Sequence, residues 1–278
     1  MIITGAKNVE EIVTPGEHVL YHGEVIVRFD ESLHRYTVLD RAVSNDFVVV
    51  PSVTTVLSAM LDKSKMLVPW ATRLARESVI ASIQPNTQYI AEHIQRIAYE
   101  SSNVHKRVLA EAGRIGTEVH KAIETFLRMR AGETVQMQFP ADAKAAKCFM
   151  AAAQWIALNN VQMIAAEKIL YSRKHRVIGT TDLAAQLLVG GRSAIADWKS
   201  SNRLLRTYEL QLAAYRSMMF EQTGFLADDR ILIRLDKEDG SFHPQVLSTE
   251  TADAEAEAFF QLAKSYRQLN ELKFFEET

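Results

Sequence analysis

The chain has 278 residues with 47% hydrophobic content, enough to bury a sizeable core as one elaborated domain or as a core with a smaller N-terminal part. Its single cysteine, Cys148, excludes a disulfide framework, and no apolar run approaches the length needed to span a bilayer. A net charge of −2 does not advertise a polyanion binder, and the N-terminal MIITGAKNVEEIV lacks the basic-then-apolar order of a secretory signal, so a soluble cytoplasmic protein is expected.

Residues from about 17 to 50 alternate in the manner of strands, in VLYHGEVIVRF, LHRYTVLD and FVVV, and predict a small β-rich module over 1–50. PSVTTVLSAML follows, with Ser52 or Thr54 placed to cap a helix, and a long helical region runs through VPWATRLARESVIASI to Arg130. Arg73 and Arg76 stand three apart on it and read as an exposed face. Within GRIGTEVHKAIETFL, Val119, Ile123, Phe126 and Leu127 follow helical spacing, which puts Gly116 and His120 near the start of an amphipathic helix. RMRAGETVQMQFPADA reads as a loop and KAAKCFMAAAQWIALNN as a helix ending at Asn159 and Asn160, so the helical region spans 51–165. EKILYS predicts a strand opened by Glu167, read first as a solvated strand end and otherwise as a residue supporting the metal ligands or facing DNA. Residues 177–189 and 194–199 are rich in β-branched and apolar side chains and predict a hairpin across Gly190 and Gly191. TYELQLAAYRSMM predicts a helix stopped by Gly224, DRILIRL and HPQVL predict strands around a KEDG turn, and a last helix covers about 251–272 with Phe259, Phe260, Ala263 and Tyr266 on its apolar side.

The hairpin carries the chemistry. In a strand, residues i and i+2 share a face, so Asp197 and Lys199 project together while Trp198 points away, and Asp182 comes alongside from the partner strand. Carboxylate oxygens suit Mg²⁺ or Mn²⁺, which keep several waters and take one or two protein carboxylates. Lys199 would orient such a water or take its proton and offset charge building on a phosphorane-like transition state. An acid two residues before a lysine also occurs at Asp142/Lys144 and Glu271/Lys273, but those stretches read as helix, where i and i+2 do not face each other. Taken alone, the triplet is equally an ordinary hairpin ion pair. Gln211 and Tyr215, four apart, share one face of the following helix. Charge is uneven: residues 168–206 hold eight basic against two acidic side chains, a local +6, whereas 250–278 carry −4. Such separation steers a polyanion to one face.

The ordered set G-x-x-x-H, G-x-x-D, D-x-K and Q-x-x-x-Y, present as GTEVH, GTTD, DWK and QLAAY, resembles the RecB-like branch of the PD-(D/E)XK nuclease superfamily over residues 116–215. Gln95 and Tyr99 also make a Q-x-x-x-Y, but they precede the histidine and break the order. The resemblance implies an α/β fold with a restriction-endonuclease-like αβββαβ core, a mixed central sheet flanked by helices, and N-terminal β-rich and helical additions. The core would occupy 166–278, although the whole chain can fold as one domain. It further implies His120 as a metal ligand, Asp182 and Asp197 as carboxylate ligands, Lys199 as the catalytic lysine, and Gln211 holding the active-site strand or lysine. Tyr215 would pack or touch DNA, with Ser200, Arg173, Lys174 and Arg203 as further DNA-facing residues.

The implied cofactor is Mg²⁺ or Mn²⁺. Some relatives hold an iron–sulfur cluster with four cysteines, which one cysteine excludes, and no nucleotide cofactor is expected because no G-x-x-x-x-G-K-[ST] loop occurs. The expected function is hydrolysis of DNA phosphodiesters, as an exonuclease on DNA ends in recombination, repair or phage DNA processing. The alternatives are a structure- or sequence-specific endonuclease on the same core and a non-catalytic DNA-end-binding module. PSVTTVL before a Trp-containing helix is also similar, more loosely, to phage-encoded exonucleases and the mitochondrial genome-maintenance exonuclease group. DNA is the expected partner, with a recombinase, single-strand-binding protein or helicase supplying any unwinding, and no membrane. Trp70, Tyr89 and Tyr99 are candidates to stack on exposed bases.

Overall fold

The computed structural model describes residues 16–273; MIITGAKNVEEIV at the N-terminus and Glu276 and Glu277 of the acidic tail lie outside them. Four short strands, β1 (Glu17–Leu20), β2 (Val25–Asp30), β3 (Arg35–Asp40) and β4 (Val48–Val50), pair in chain order as an antiparallel sheet. The register sets Val27 opposite Val38 and Phe29 opposite Tyr36, so these side chains share a face. Val25, Val27 and Val38 on it are fully buried, packed against Tyr171 and Ile178 of the second sheet.

Helix α1 (Val53–Met60) starts where its capping residue predicts: the Ser52 hydroxyl accepts from the Thr55 N–H at 3.0 Å. The long helical region is broken into α2 (Ser64–Ser82), α3 (Ala91–Ser102) and α4 (Val104–Arg130). Pro85 lacks the donor a helix needs, and Asn86 takes a left-handed φ of 60° between α2 and α3. Because α4 runs for 27 residues, His120 lies in its middle and not in its first turns as expected. Gly113 and Gly116 do not break it, since their cost of about 1 kcal/mol each is outweighed by the buried stripe of Ile115, Val119, Ile123 and Leu127. Helix α5 (Ala143–Leu158) follows, its N-terminal amides held by Asp142. That cap explains the Asp142/Lys144 pair structurally.

The central sheet is mixed, in the order β5 (Val161–Ser172), β6 (Val177–Leu187), β7 (Arg192–Lys199), β8 (Asp229–Leu235) and β9 (Phe242–Leu247). The predicted glycine turn joins β6 to β7, with φ of 92° at Gly190 and 66° at Gly191. Only β7 and β8 run parallel, because α6 (Arg206–Thr223) carries the chain back between them. Gly224, at φ 75°, ends α6 as expected. Strand β5 begins at Val161, so Glu167 sits mid-strand and does not open it; the poor β-formers Ala165 and Ala166 concealed the first half.

Helices α4 and α5 cover one face of this sheet, and α1, α6 and α7 (Ala252–Glu271) cover the other. Along β7, Ala194, Ala196 and Trp198 enter the first core and Ile195 enters the second. Trp198 meets Trp155 edge-on at 5.5 Å, which leaves Asp197 and Lys199 on the α6 side. Each large side chain buried in these layers contributes about 1.5–3 kcal/mol. No helix among the described residues is long and apolar enough to cross a membrane.

Candidate metal centre

The last register pair between β6 and β7 is Leu183 with Ala196. Asp182 and Asp197 are the next residues, so both carboxylates stand in the fork just beyond the ladder. Asp182 Oδ2 accepts the Trp198 N–H at 2.8 Å, which satisfies that backbone donor and fixes the carboxylate. Asp197 is 1% exposed; its Oδ1 receives Gln211 Nε2 of α6 at 3.4 Å, and its Oδ2 lies 2.5 Å from Lys199 Nζ. The ammonium is close enough to pair ionically, but no donor meets Oδ2 in hydrogen-bond geometry.

His120 enters the fork from α4. Its Nε2 lies 3.2 Å from the Trp198 carbonyl, and its Nδ1 lies 3.4 Å from Glu167 Oε1 and 3.5 Å from Asp182 Oδ2. With Nε2–H donated to Trp198, Nδ1 faces the two carboxylates; it carries a proton toward them in the metal-free protein, and a metal would take the lone pair that proton leaves, the arrangement of a ligating imidazole. One ligand atom from each of His120, Glu167 and Asp182 lies within 4.8 Å of the others. Glu167 reaches this point because β5 is distorted there: its φ is +46°, a left-handed conformation costing a non-glycine residue about 1–3 kcal/mol. The sequence favours a solvated strand end for Glu167 over a place beside the metal ligands, and the structure places it at the cluster. Nothing local signals the distortion.

The two halves of the Q-x-x-x-Y pair act together. A Cβ at Gly179 would stand 2.5 Å from Tyr215 Cε1, so only glycine lets that ring lie across β6. Tyr215 is 3% exposed, which favours packing over DNA contact, and its hydroxyl accepts from Gln211 Nε2 at 3.3 Å. The glycine thus seats the tyrosine, the tyrosine seats the glutamine, and the glutamine holds Asp197.

The electrostatics follow from burial and proximity. Burial pushes the Asp197 carboxyl up to about 6, with the Asp182 charge adding to that and Lys199 opposing it. Burial acts the same way on Asp182, but His120, Lys199 and the Trp198 N–H overcome it and hold this carboxyl below its ordinary value. Lys199 and His120 lose solvation, yet their carboxylate neighbours raise both. Glu167 is raised by burial, partly offset by His120. Three carboxylates thus converge against two cationic side chains. Imidazole nitrogen with hard oxygen donors, together with the unsatisfied Asp197 Oδ2, is a donor set that fits Mg²⁺ or Mn²⁺.

These groups line a cleft of about 820 Å³, to which His34, Tyr36, Ser52 and Thr54 of the N-terminal elements also contribute. The other expected site residues are scattered. Ser200 is near, its Oγ 3.7 Å from a Cβ built on Gly116. Arg203 is exposed, with Nη2 3.1 Å from Met66 Sδ. Arg173 and Lys174 follow the far end of β5, roughly 20 Å along the strand from Glu167. Arg173 is bound to Asp40 and Glu24, while the Lys174 N–H bonds Glu221. The local +6 is also reduced in space, because Arg192 pairs with Asp229 and Arg206 with Glu209. Trp70, Tyr89 and Tyr99 sit on or beside α2 and α3, with Tyr99 73% exposed.

No family model matches the chain, and no curated protein does. Among solved structures, the crystal structure of SSO0001 aligns with a TM-score of 0.30 and 14% identity, over 71% of this chain and 86% of the other. A likeness that weak carries no argument about fold or function.

Proposed function

We propose that this chain is a metal-dependent deoxyribonuclease of the RecB-like PD-(D/E)XK type, acting as an exonuclease on DNA ends in recombination, repair or phage DNA processing. The observation that carries the reading is the convergence, from five separate elements, of His120, Glu167, Asp182, Asp197, Lys199 and Gln211 on one cleft. The order of helix α5, strands β5, β6 and β7, helix α6 and strand β8 supports the αβββαβ core that this class requires. The preference for ends rests on the motif resemblance.

His120, Glu167, Asp182 and Asp197 would hold Mg²⁺ or Mn²⁺, which when bound would activate a water and draw charge from the phosphate oxygens. Water attacks the phosphorus in line and the sugar oxygen leaves. Lys199 Nζ, kept in place by Asp197, donates to a phosphate oxygen and offsets the negative charge that grows there. Gln211 fixes Asp197 and so keeps the lysine aimed. The main-chain carbonyl of Trp198 holds the His120 ring.

Labelled linear, circular, single-stranded and duplex DNA incubated with Mg²⁺ or Mn²⁺ tests this directly. Loss of linear DNA with circles spared is the expected result; nicked circles would select an endonuclease, and binding without cleavage a DNA-end-binding module. Lys199→Ala and Asp182→Asn are each expected to abolish cleavage, with circular dichroism showing that the fold remains; each costs some stability, since Lys199 compensates buried Asp197 and the ionised Asp182 is held by His120, Lys199 and the Trp198 N–H. Full activity in either variant overturns the assignment. Mg²⁺ should raise the Tm of the wild type, and much less that of Asp182→Asn.

A further inference from the structure

The inner face of the N-terminal sheet does not end where its core ends. Val27 and Val38 are fully buried, but the next pair on that face, Phe29 and Tyr36, is only half-buried, with ring centroids 4.5 Å apart. His34, exposed at the tip of the β2–β3 hairpin, sets its ring edge-on to Phe29 at 5.2 Å. Its φ of +48° is a left-handed conformation that glycine would adopt more easily, so the imidazole is held there at a backbone cost. Three aromatic rings therefore project past the valine core as a cluster.

The position of this cluster carries the inference. His34, Tyr36 and Ser52 line the cleft of the candidate metal centre, and the same three residues line a second cleft of about 590 Å³. Arg35, Arg267 and Glu271 also line that second cleft, and Arg267 Nη1 donates to the His175 carbonyl. The hairpin is thus a sill shared by two recesses, one with the converging carboxylates and the other with two guanidinium groups beside Glu271.

We propose, resting on the nuclease reading above, that this sill is a stacking platform for unpaired bases of single-stranded DNA flanking the scissile phosphate. Ring clusters of this kind accept the π-face of any base, and a base offers that face only when it has left the duplex stack. The strand crosses from the metal centre over Tyr36 and His34, and its backbone then meets Arg35 and Arg267. Ser52, at the N-terminus of α1, sits beneath this path with its hydroxyl 2.7 Å from Thr55 Oγ1. The substrate class is therefore DNA with a single-stranded stretch at the cut.

The test uses the full chain with Ca²⁺ in place of Mg²⁺, and reads the anisotropy of a short labelled single-stranded oligonucleotide beside that of a blunt duplex. Two variants remove rings without opening the core: Phe29→Leu/Tyr36→Leu keeps apolar side chains on the face, and His34→Gly also relieves the left-handed backbone. Each is expected to weaken single-strand binding about fivefold or more per lost stack, and duplex binding less. With Mg²⁺, KM for single-stranded substrate should rise more than kcat falls, while the Mg²⁺-dependent rise in Tm persists and shows the fold and metal centre intact. Unchanged single-strand affinity and KM in both folded variants, with the wild type cleaving DNA, overturn the platform and leave the nuclease standing. A wild type that neither binds nor cleaves any DNA overturns the nuclease reading and the platform with it.

Discussion

Glu167 is a strand residue held in a strained conformation with its carboxylate 3.4 Å from an imidazole. Strain of that kind persists only when surrounding contacts over-determine it, and the contacts here are with His120 and the carboxylate of Asp182, the other members of the candidate metal centre. Glu167→Gln keeps the shape and removes the charge, so the Mg²⁺ concentration needed to raise the Tm should increase about tenfold or more, as affinity follows ligand charge count. Metal-free stability should not fall, since one of three converging carboxylates is gone. A Mg²⁺ response equal to the wild type would make Glu167 a bystander. Gly179 offers a second test. An added methyl must displace the Tyr215 ring, which should cost about 1–3 kcal/mol in chemical denaturation and lower cleavage by unseating Gln211 from Asp197.

Among the elements, the β6–β7 hairpin is the most legible in the sequence, because two glycines between β-branched runs admit few other structures. Other elements were legible only in part. The periodicity of α4 marked its buried stripe but not its N-terminus, since Val104, Val108 and Ala112 continue the same helical spacing before Ile115 and no local signal separates α4 from the helix before it. Strand β8 hides a feature of a different kind. Arg230 reads as an ordinary surface charge in DRILIRL, yet its side chain is fully buried. It bonds Glu255 Oε2 of α7 at 2.5 Å, the Ser248 carbonyl at 2.5 Å and the Glu209 carbonyl at 3.3 Å. One guanidinium thus ties the sheet to the helical layer that carries Gln211. Arg230→Met should cost about 3–5 kcal/mol, because Glu255 and two carbonyls lose their partner; urea denaturation measures it, and a loss below about 1 kcal/mol would mean that water replaces the guanidinium at little cost.

For the whole molecule, the question is how the N-terminal sheet is joined to the central one. The valine face supplies the apolar contact and Arg173 supplies the polar one, bonding buried Asp40 through Nε and Nη2 at 3.1 and 2.9 Å, Glu24 through Nη1 at 2.7 Å, and lying over the Tyr21 ring. A residue expected to face DNA instead joins two sheets. Arg173→Leu leaves Asp40 buried without its cation and should cost about 3 kcal/mol. Hydrogen exchange should show the loss first at Val27 and Val38, before the central sheet responds. Uniform destabilisation of both sheets would mean that they unfold as one unit and that Arg173 is not a local clasp.

What the sequence determined by itself is short-range: the common face of Asp197 and Lys199, the glycine turn, the Ser52 cap, and the helical spacing of Gln211 and Tyr215. Each depends on backbone geometry over a few residues, where residue type and spacing suffice. Only the tertiary structure decided the rest. His120 meets Glu167 across 47 positions of chain, and Arg173 meets Asp40 across 133. Those meetings require the register of the sheets, a distorted strand and the packing of helices on both faces, so the place of Glu167 in the candidate centre and the engagement of Arg173 with Asp40 rest on contacts that no local pattern contains.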